Sequence, residues 1–555
     1  MWRVGRLVIR TPEILYHKNT EGSEEGGHVV DEVHPGSPTD GRKNAAGGRG
    51  DVPVTPIFIL MMAGAFVAFL NQSLINVALP QIMAHLHVSA TTGDWLATGY
   101  MLVNGVVIPI TAYLIERFTT RQLYLSAMGL FCVGTLTCAV APHFSVLLAG
   151  RIIQAVGAGV LMPLVTNVIF ILFPIERRGW AMGIFGIALN FAPAIGPTLS
   201  GWLVEHHSWR LLFFIVLPIA LLDLVISFLL LRNVTETRRP RLDTWSVVLS
   251  TLGFGGVLYG FSTAGSSGWG SAEVVASFVI GGVSLLWFVL RQWGLERPLL
   301  EVRIFRYPMF TLTTLILVVV TMALFAGMLL MPIYMQNVRG FSPLLSGLML
   351  LPGGVVMGIM SPITGRLFDR IGARWLAVSG LAITTLTNYA LTRLELDTSF
   401  LYVTVIYTLR AFGMSILLMP VMTAGLNQLP KRYYPHGTAM SNTLRMVSGA
   451  VGMALLVSIM ASRTQVHFQV LSMRQQAMVL DGQGAAASGG LEQMMRQATV
   501  MGIDDAFWIA TGLLFVAFLL SFFIQRTRPM PDILSHSKRE QSRVRGRVAL
   551  GARDA

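Results

Sequence analysis

The sequence predicts an all-α integral membrane protein with 14 transmembrane helices, and three observations lead to this fold class. The 555 residues are 53% hydrophobic and only 12% charged, whereas soluble globular proteins carry about a quarter charged residues. Apolar runs of about 20 residues, the length that a helix needs to cross the hydrocarbon core, recur along the chain after residue 53. Breaks with Pro, Gly or charged residues separate most of these runs.

Each predicted span is one apolar run between two such breaks. In chain order the runs lie at 56–79, 94–115, 123–141, 145–172, 180–203, 210–231, 244–264, 274–291, 309–335, 344–364, 375–392, 401–427, 437–461 and 506–525. Residues 1–52 are Gly-rich, mixed in charge and without a long apolar run, which predicts a disordered tail. An upstream start-codon assignment would give the same appearance. Residues 526–555 form a basic tail.

The distribution of Lys and Arg predicts the orientation. With the N-terminus in the cytoplasm, the inner loops and the C-terminal tail hold most of these residues, and few fall on the outer side. Those few are Arg210, Arg339, Arg393, Arg463, Arg474 and Arg496. The positive-inside rule therefore predicts a multi-pass protein of the plasma membrane with both termini in the cytoplasm. The net charge of +13 then faces anionic membrane lipid, and no nucleic-acid partner is expected.

Two sequence patterns occur twice. "RIIQAVGAGVLMPLVTN" from Arg151 is echoed by "RAFGMSILLMPVMTAGLN" from Arg410, and "AYLIERFTTRQ" after the second span is echoed by "GRLFDRIGARW" after the tenth. Internal repeats are common in transporters. The repeats predict a six-helix half at 53–231, two inserted helices with linkers at 232–308, and a second six-helix half at 309–525.

Five motifs carry a resemblance to a known family: "FLNQSLINVALP", "RIIQAVGAG", "APAIGPTLSGW", "RPRLDTWS" and "ERPLLEVRIFRYPMF", in this order and on the corresponding spans. The sequence resembles the 14-span drug:proton antiporters of the major facilitator superfamily, the EmrB/QacA type, from Val54 to Ile524. The resemblance implies the major facilitator fold and a multidrug efflux function. It also implies a proton gradient as the energy source, with no bound cofactor.

The fifth span contains helix-weakening residues that a membrane helix tolerates only where neighbouring protein satisfies it. Small residues let another helix approach, and Pro bends the axis. The residues concerned are Gly186, Pro193, Gly196, Pro197 and Gly201. The resemblance implies that they form the antiporter motif, which seals the inward-open state against leak. Ser200 stands where the family usually has Gly, which predicts a slightly looser crossing.

Arg151 lies deep in the fourth span, where a charge needs a partner or a water-filled cavity. Together with Gln154, Gly157 and Gly159 it matches the family's fourth-span motif, whose Arg is implicated in proton transfer. A structural Arg bonded to backbone carbonyls is the alternative. Arg410, its repeat partner, is a second candidate for proton coupling.

The intramembrane acids depart from the family pattern. Asn71 stands where the usual first-span motif has Asp, and an amide cannot carry a proton. Asp223 lies inside the sixth span, where the family has an apolar residue, and an intramembrane acid is a functional candidate. Asp223 is therefore a third candidate for proton coupling, and a polar residue near the inner membrane face is the alternative.

The loops after the second and tenth spans resemble the family's gating motif. An acid beside basic residues on a tight turn allows charge pairs to break and re-form as the halves rock. The residues are Glu116 and Arg117 in the first copy, and Gly365, Asp369, Arg370 and Arg374 in the second. A solvated positive loop is the alternative, above all for the first copy.

Inward-facing amides mark the substrate path, because amides that face lipid are costly. They are Asn71, Gln72, Asn76, Asn104, Asn167 and Asn190. With 29 Met and 30 Phe, the chain favours an adaptable apolar cavity for lipophilic compounds, cationic ones included. An exporter or uptake carrier of a native metabolite is the alternative. A membrane-embedded enzyme is disfavoured because no metal spacing or catalytic cluster stands in the sequence.

Residues 462–505 form the longest predicted outer loop. Their Gln, Met and Arg content allows two short amphipathic helices around the segment "DGQGAAASGG". Some members of the family work with a separate adaptor protein. The sequence leaves open whether this loop meets an adaptor or is a flexible lid.

Overall fold

A computed structural model describes residues 54–235, 237, 242–480 and 491–525. Within these ranges the chain is helical and contains no strand. The predicted tails at 1–52 and 526–555 lie outside the described residues.

Fourteen long helices follow one another and are labelled here in chain order. They are α1 Val54–Leu86, α2 Trp95–Arg117, α3 Thr120–Ala139, α4 Phe144–Leu172, α5 Arg178–His206, α6 Arg210–Leu230, α7 Thr244–Ser267, α8 Ala272–Gly294, α9 Pro308–Ile333, α10 Pro343–Ile371, α11 Ala373–Ala390, α12 Phe400–Asn427, α13 Tyr434–Leu480 and α14 Leu491–Ser521.

The predicted membrane fold is confirmed. A long helix lies at each predicted span, and 13 of the described helices are long and apolar enough to cross a membrane. The remaining one, α11, has 18 residues. It contains several Thr residues and Asn388, which lower its hydropathy.

The expected loop at 462–505 needs a correction. Helix α13 continues without interruption to Leu480, and α14 begins at Leu491, so the flanking segments are extensions of the two spans rather than separate short helices. Asp505 joins the extensions, because its carboxylate accepts hydrogen bonds from Arg463 (2.5 Å) and His467 (2.8 Å). Residues 481–490 lie outside the described ranges.

The helices form two sets of six, which we call the N half (α1–α6) and the C half (α9–α14). Within the N half, α3 packs on α4 and α6, and α5 packs on α1. Within the C half, α12 packs on α10 and α11, and α13 packs on α9 and α14. The halves meet mainly along two seams, where α5 packs on α10 and α2 packs on α13.

The inserted pair α7–α8 lies against the second seam. Thr98 of α2 and Ser262 of α7 are hydrogen-bonded at 2.9 Å, and Trp269 donates to Ser458 of α13 at 2.6 Å. Helix α7 thus contacts both halves.

An ion pair joins the start of α7 to the end of α8. The Arg291 guanidinium donates to both carboxylate oxygens of Asp243, at 2.7 and 3.0 Å. These bonds lower the pKa of Asp243 to about 2, against desolvation, which acts in the opposite direction. Asp243 belongs to the motif "RPRLDTWS". This motif therefore fixes the base of the inserted hairpin.

Candidate functional site

The first seam is a crossing of small residues. A Cβ atom added at Gly183 would lie 2.4 Å from the Ser361 carbonyl oxygen, and one added at Gly365 would lie 2.2 Å from the Gly179 carbonyl oxygen. At Gly186 it would lie 2.9 Å from the Ser361 hydroxyl. Backbones of α5 and α10 approach this closely only where both helices lack side-chain bulk.

The other motif residues of α5 face mainly the N half. A Cβ at Gly196 would lie 1.9 Å from the Ser73 hydroxyl of α1. Ser200, which stands in place of the family's Gly, was expected to loosen the crossing of α5 with α1. Instead, its hydroxyl donates to the Leu74 carbonyl at 2.6 Å and so holds the two helices together. Gly201 meets its nearest neighbours only at 3.9 Å, so the expectation of a close approach is wrong there. Pro193 and Pro197 lie inside the uninterrupted helix, and their bending of its axis stays a prediction.

Asp369 bonds to a helix start rather than to its basic neighbours. Its carboxylate accepts from the backbone N–H groups of Gly179 (2.8 Å) and Trp180 (2.9 Å), in the first turn of α5. A helix N-terminus offers free N–H groups and a positive dipole to a carboxylate. Asp369 therefore links the C half to the N half.

Arg178 makes a second link between the halves at the same end. Its side chain is buried and donates to the Phe170 carbonyl (2.7 Å) in the N half. In the C half it donates to the Asn427 side chain (2.9 Å) and the Tyr434 hydroxyl (3.0 Å). The guanidinium also lies 4.9 and 5.0 Å from the ring centres of Phe170 and Tyr434, within cation–π range.

Arg178 is not predicted from the sequence, because an Arg in a short inner loop has the features of a positive-inside residue. The signal was available in the repeat. Arg178 lies four residues after Pro174, and Tyr434 lies four residues after Pro430. The two residues, which contact each other, therefore occupy equivalent positions of the repeat.

Glu116 and His436 form a third link, across the seam of α2 and α13. Glu116 Oε1 lies 3.5 Å from His436 Nε2, and His436 Nδ1 accepts from the backbone N–H of Glu301 at 3.3 Å. Glu116 is half-buried and His436 is buried. We call the end of the bundle that holds Glu116, Arg178 and Asp369 the linked end.

The basic gating residues lie at the surface of the linked end. Arg117 is exposed at the end of α2, and Arg370 is exposed near the end of α10. Arg374 lies over the Trp375 ring at 5.6 Å.

Arg151 is buried in the N half. It donates to Gln154 at 3.0 Å and to the Leu96 carbonyl at 3.4 Å, and it lies 4.2 Å from the centre of the Tyr100 ring. Gln154 in turn donates to Thr135 of α3 at 2.7 Å. This arrangement agrees in part with the alternative of a structural Arg bonded to backbone carbonyls, because one hydrogen-bond partner of Arg151 is the Leu96 carbonyl.

The glycines of the same motif let α4 pack on its neighbours. A Cβ at Gly157 would lie 2.4 Å from the Ala127 carbonyl oxygen of α3. At Gly159 it would lie 3.1 Å from Val107 of α2.

Arg410 has a comparable environment in the C half. It donates to Asn388 at 3.2 Å and to the Ala323 carbonyl at 2.6 Å, and its guanidinium lies 5.6 Å from the centre of the Tyr407 ring. The repeat thus places a buried Arg beside an amide and a Tyr in each half.

Asp223 lies between α1, α3 and α6, away from both seams. Its Oδ2 accepts from the Tyr124 hydroxyl at 2.7 Å, and Tyr124 also lies 3.0 Å from the Leu60 carbonyl. Its Oδ1 has no hydrogen-bond partner in the described part of the chain. The structure therefore separates Asp223 from the links between the halves.

The predicted substrate-path amides differ in their surroundings. Asn190 lies 3.5 Å from Ser361, at the first seam. Asn71, Asn104 and Asn167 are buried, and Gln72 is half-buried. The Asn71 amide nitrogen and both polar atoms of Asn167 have no hydrogen-bond partner among the described residues. The side chain of Asn76 lies outside the described part.

Two six-helix sets that meet at two seams, with buried charges in both and polar links at one end, form the two-half architecture that is found in membrane transporters. Residues 61–453 match the Major Facilitator Superfamily. The chain belongs to this family of transporters and is not an enzyme.

Several curated proteins are similar over nearly their whole length. The uncharacterised MFS-type transporter YhcA of Bacillus subtilis (strain 168) is 46% identical over 87% of this chain and 95% of its own. The lincomycin resistance protein LmrB of Listeria monocytogenes is 40% identical over 88% and 100%. The multidrug export protein EmrB of Escherichia coli (strain K12) is 26% identical over 84% and 94%.

A solved structure confirms the fold. The human organic anion transporter MFSD10 (TETRAN) superposes with a TM-score of 0.57 at 14% identity, covering 84% of this chain and 99% of its own.

Proposed function

We propose that the protein is a secondary active exporter that moves lipophilic compounds, cationic ones included, out of the cell in exchange for protons. Family membership makes it a transporter. The relatives named for lincomycin resistance and multidrug export, matched along nearly their whole length, support drug efflux. The α5 residues that resemble the antiporter motif support export over uptake.

The observation that carries alternating access is the tighter packing of the first seam at the linked end. Near the linked end, Cβ positions on α5 and α10 would meet backbone atoms at 2.2 to 2.4 Å. Toward the other end the same helices are further apart, since a Cβ at Gly347 would lie 3.6 Å from Thr198. Polar links at one end, which a rocking of the halves would break, fit a carrier that opens its two ends in turn.

The linked end is proposed to face the cytoplasm. The Lys and Arg residues of the short loops concentrate there. On this assignment both chain termini are cytoplasmic, and the state described is closed toward the cytoplasm.

Unpartnered amides support a polar lining within an apolar substrate path. A buried amide without a hydrogen bond is costly, so Asn71 and Asn167 are proposed to bond to water or substrate during the transport cycle. The buried ionisable residues Asp223, Arg151 and Arg410 are proposed to carry proton coupling, with the proton gradient as the only energy source. An adaptor protein is not required by this proposal.

The test is transport into inverted membrane vesicles with an imposed pH gradient, acidic inside. We expect lincomycin and lipophilic cationic dyes to accumulate, and an ionophore that collapses the gradient to release them. Vesicles without the protein serve as the control. Accumulation only in right-side-out vesicles would indicate an uptake carrier, and no gradient-dependent accumulation in either orientation would refute the proposal.

A further inference from the structure

Of the differences between the two repeats at the linked end, the one at the helix starts alters which groups the gating-loop acids meet. Segments 173–180 "FPIERRGW" and 429–436 "LPKRYYPH" each contain a Pro, a 3₁₀ turn and the first residues of a long helix. Within them, Gly179 corresponds to Pro435 and Trp180 corresponds to His436. The acids that reach these helix starts, Asp369 and Glu116, are also repeat equivalents.

This one difference changes the chemistry of the link. Asp369 is bound by the backbone N–H groups of Gly179 and Trp180. Because proline has no N–H, the start of α13 cannot offer Glu116 the same pair of donors. The side chain of His436 stands in their place, 3.5 Å from Glu116.

The imidazole has one hydrogen-bonded neighbour, Glu301, and one acid within ion-pair distance, Glu116. Nδ1 accepts the Glu301 N–H at 3.3 Å, so the single ring proton of the neutral form belongs on Nε2, facing Glu116. A second proton would have to sit on Nδ1, where it would point at another donor. Protonation would therefore exchange the Glu301 bond for a charged pair with Glu116.

We propose that His436 is a protonation-controlled latch between the halves. A charged hydrogen bond is roughly twice as strong as a neutral one, so protonation tightens the seam of α2 and α13 and releases the linker at Glu301. One seam is then held by backbone N–H groups, and the other by the His436 side chain.

Other charged groups near His436 are accounted for by the contacts described. The carboxylate of Glu301 accepts a hydrogen bond from the backbone N–H of Arg303 at 3.2 Å and lies 3.7 Å from Nε of the Arg303 side chain. The Arg178 guanidinium bonds to Tyr434 and Asn427. Lys431 and Arg432, on the 3₁₀ turn before α13, are exposed. Glu116 is thus the acid that faces Nε2.

The consequence for transport rests on the proposed function and its orientation. An acidifying cytoplasm would keep the linked end closed, so that export slows when the cytoplasmic proton concentration is already high.

Distance measurements test the latch without any transport assay. Spin labels are attached at Phe118→Cys, just beyond α2, and at Lys431→Cys, just before α13; both side chains are exposed. The background carries Cys132→Ala and Cys138→Ala, which remove the two native cysteines. The protein is studied in lipid nanodiscs between pH 8 and pH 5.5 without substrate or gradient.

We expect the population with the short inter-label distance to grow as the pH falls. His436→Gln can still donate to Glu116 but cannot become charged, so its distance distribution should not change with pH. Glu116→Gln should give the same flat response by removing the other partner. The control His467→Gln, whose side chain pairs with Asp505 on the α13–α14 extension, should keep the full response.

Two results would overturn the latch: no pH response in the parent protein, or an unchanged response in His436→Gln and Glu116→Gln. Since no substrate is present, a failed export assay leaves this measurement intact. A failed latch equally leaves the export proposal standing.

Discussion

A buried guanidinium is stable only where hydrogen bonds replace its water, and Arg178 obtains these bonds from both halves of the protein. Its donors reach backbone carbonyls at the end of α4, and side chains at the end of α12 and the start of α13. Two aromatic rings lie within cation–π distance of it. Opening of the linked end would therefore break two hydrogen bonds of Arg178, those to Asn427 and Tyr434.

We predict that Arg178→Ala destabilises the protein by about 3 kcal/mol, because it leaves buried acceptors without their charged donor. Arg178→Lys should recover only part of this loss, since one ammonium cannot reach all of the acceptors. The neighbouring Arg177 is exposed, so Arg177→Ala is the matched control. Thermal unfolding in nanodiscs measures the effect, and equal unfolding temperatures for Arg178→Ala and Arg177→Ala would contradict it.

Asp223 gives the second prediction at this scale. Asp223→Asn keeps an oxygen that accepts the Tyr124 hydroxyl, so folding and substrate binding should persist. If the proton binds at this carboxylate, transport by the variant should lose its dependence on the pH gradient. Ser227→Ala, one helical turn away in the same buried environment, is the control. A normal pH profile in Asp223→Asn would leave coupling to Arg151, Arg410 or another ion.

Residue patterns identified which groups are buried, but not what they contact. The charges of Arg151, Arg410 and Asp223 were found because charge is rare in apolar runs, and all three are buried. Their partners come from other helices, at sequence separations that no local pattern encodes. The same holds for Ser200, whose bond to Leu74 reverses the expected effect of its hydroxyl.

At the scale of elements, α5 contacts two different partners with one stripe of small residues. Near its start the stripe faces backbone atoms of α10 in the other half, and beyond its middle it faces Ser73 of α1 in the same half. The sequence predicted close packing along the whole stripe. It could not predict which neighbour each glycine meets, because that depends on how α5 crosses both helices.

We predict a graded response to alanine along α5. Gly183→Ala should be the most damaging, because its Cβ would meet the backbone of α10 at 2.4 Å, which cannot move without separating the halves. Overpacking of this kind costs on the order of 1–3 kcal/mol. Gly196→Ala meets mainly the Ser73 side chain, whose hydroxyl is the nearest group, so Ser73→Ala should rescue it in part.

Gly201→Ala is the control within the same helix, since its nearest neighbours lie 3.9 Å away. Export activity and thermal stability of the three variants are compared at equal expression. Equal losses at Gly183 and Gly201 would refute the packing assignment.

Helix lengths show the limit of hydropathy at this scale. Apolar runs located the spans because crossing hydrocarbon demands them. The extensions of α13 and α14 carry no such constraint, and their continuity depends on contacts such as that of Asp505 with Arg463 and His467. Those contacts link residues about 40 positions apart in the sequence, well beyond the three- or four-residue spacing at which side chains of one helix meet. Hydropathy along the chain therefore does not indicate them.

For the whole molecule, the repeat predicts two similar halves, and the seams determine how they can move. Both halves have a buried Arg, a gating-loop acid and a helix start that this acid approaches. The inserted pair α7–α8 lies against one seam only, so the two sides of the molecule are unequal. Rocking should therefore open and close the first seam, at α5 and α10, in every transport cycle.

A pair of designed disulfides tests this motion. A Cβ atom at Gly186 would lie 3.0 Å from Ser361 Cβ across the halves, and one at Gly196 would lie 2.7 Å from Ser73 Cβ within the N half. Both spacings are shorter than the roughly 3.5–4.5 Å of a disulfide, so the two helices must move apart locally for each bond to form. The pairs are Gly186→Cys with Ser361→Cys and, as the control, Gly196→Cys with Ser73→Cys, each in the background without Cys132 and Cys138.

We expect oxidation of the Gly186–Ser361 pair to stop export and reduction to restore it, because the bond holds together two halves that must separate at this end. Oxidation of the Gly196–Ser73 pair should change export little, since α1 and α5 belong to the same half and move together. Reduced and oxidised samples of one preparation are compared, so folding defects from the substitutions cancel. Undiminished export by a fully oxidised Gly186–Ser361 variant would mean that this seam stays closed throughout the cycle, and that the halves do not rock about the linked end.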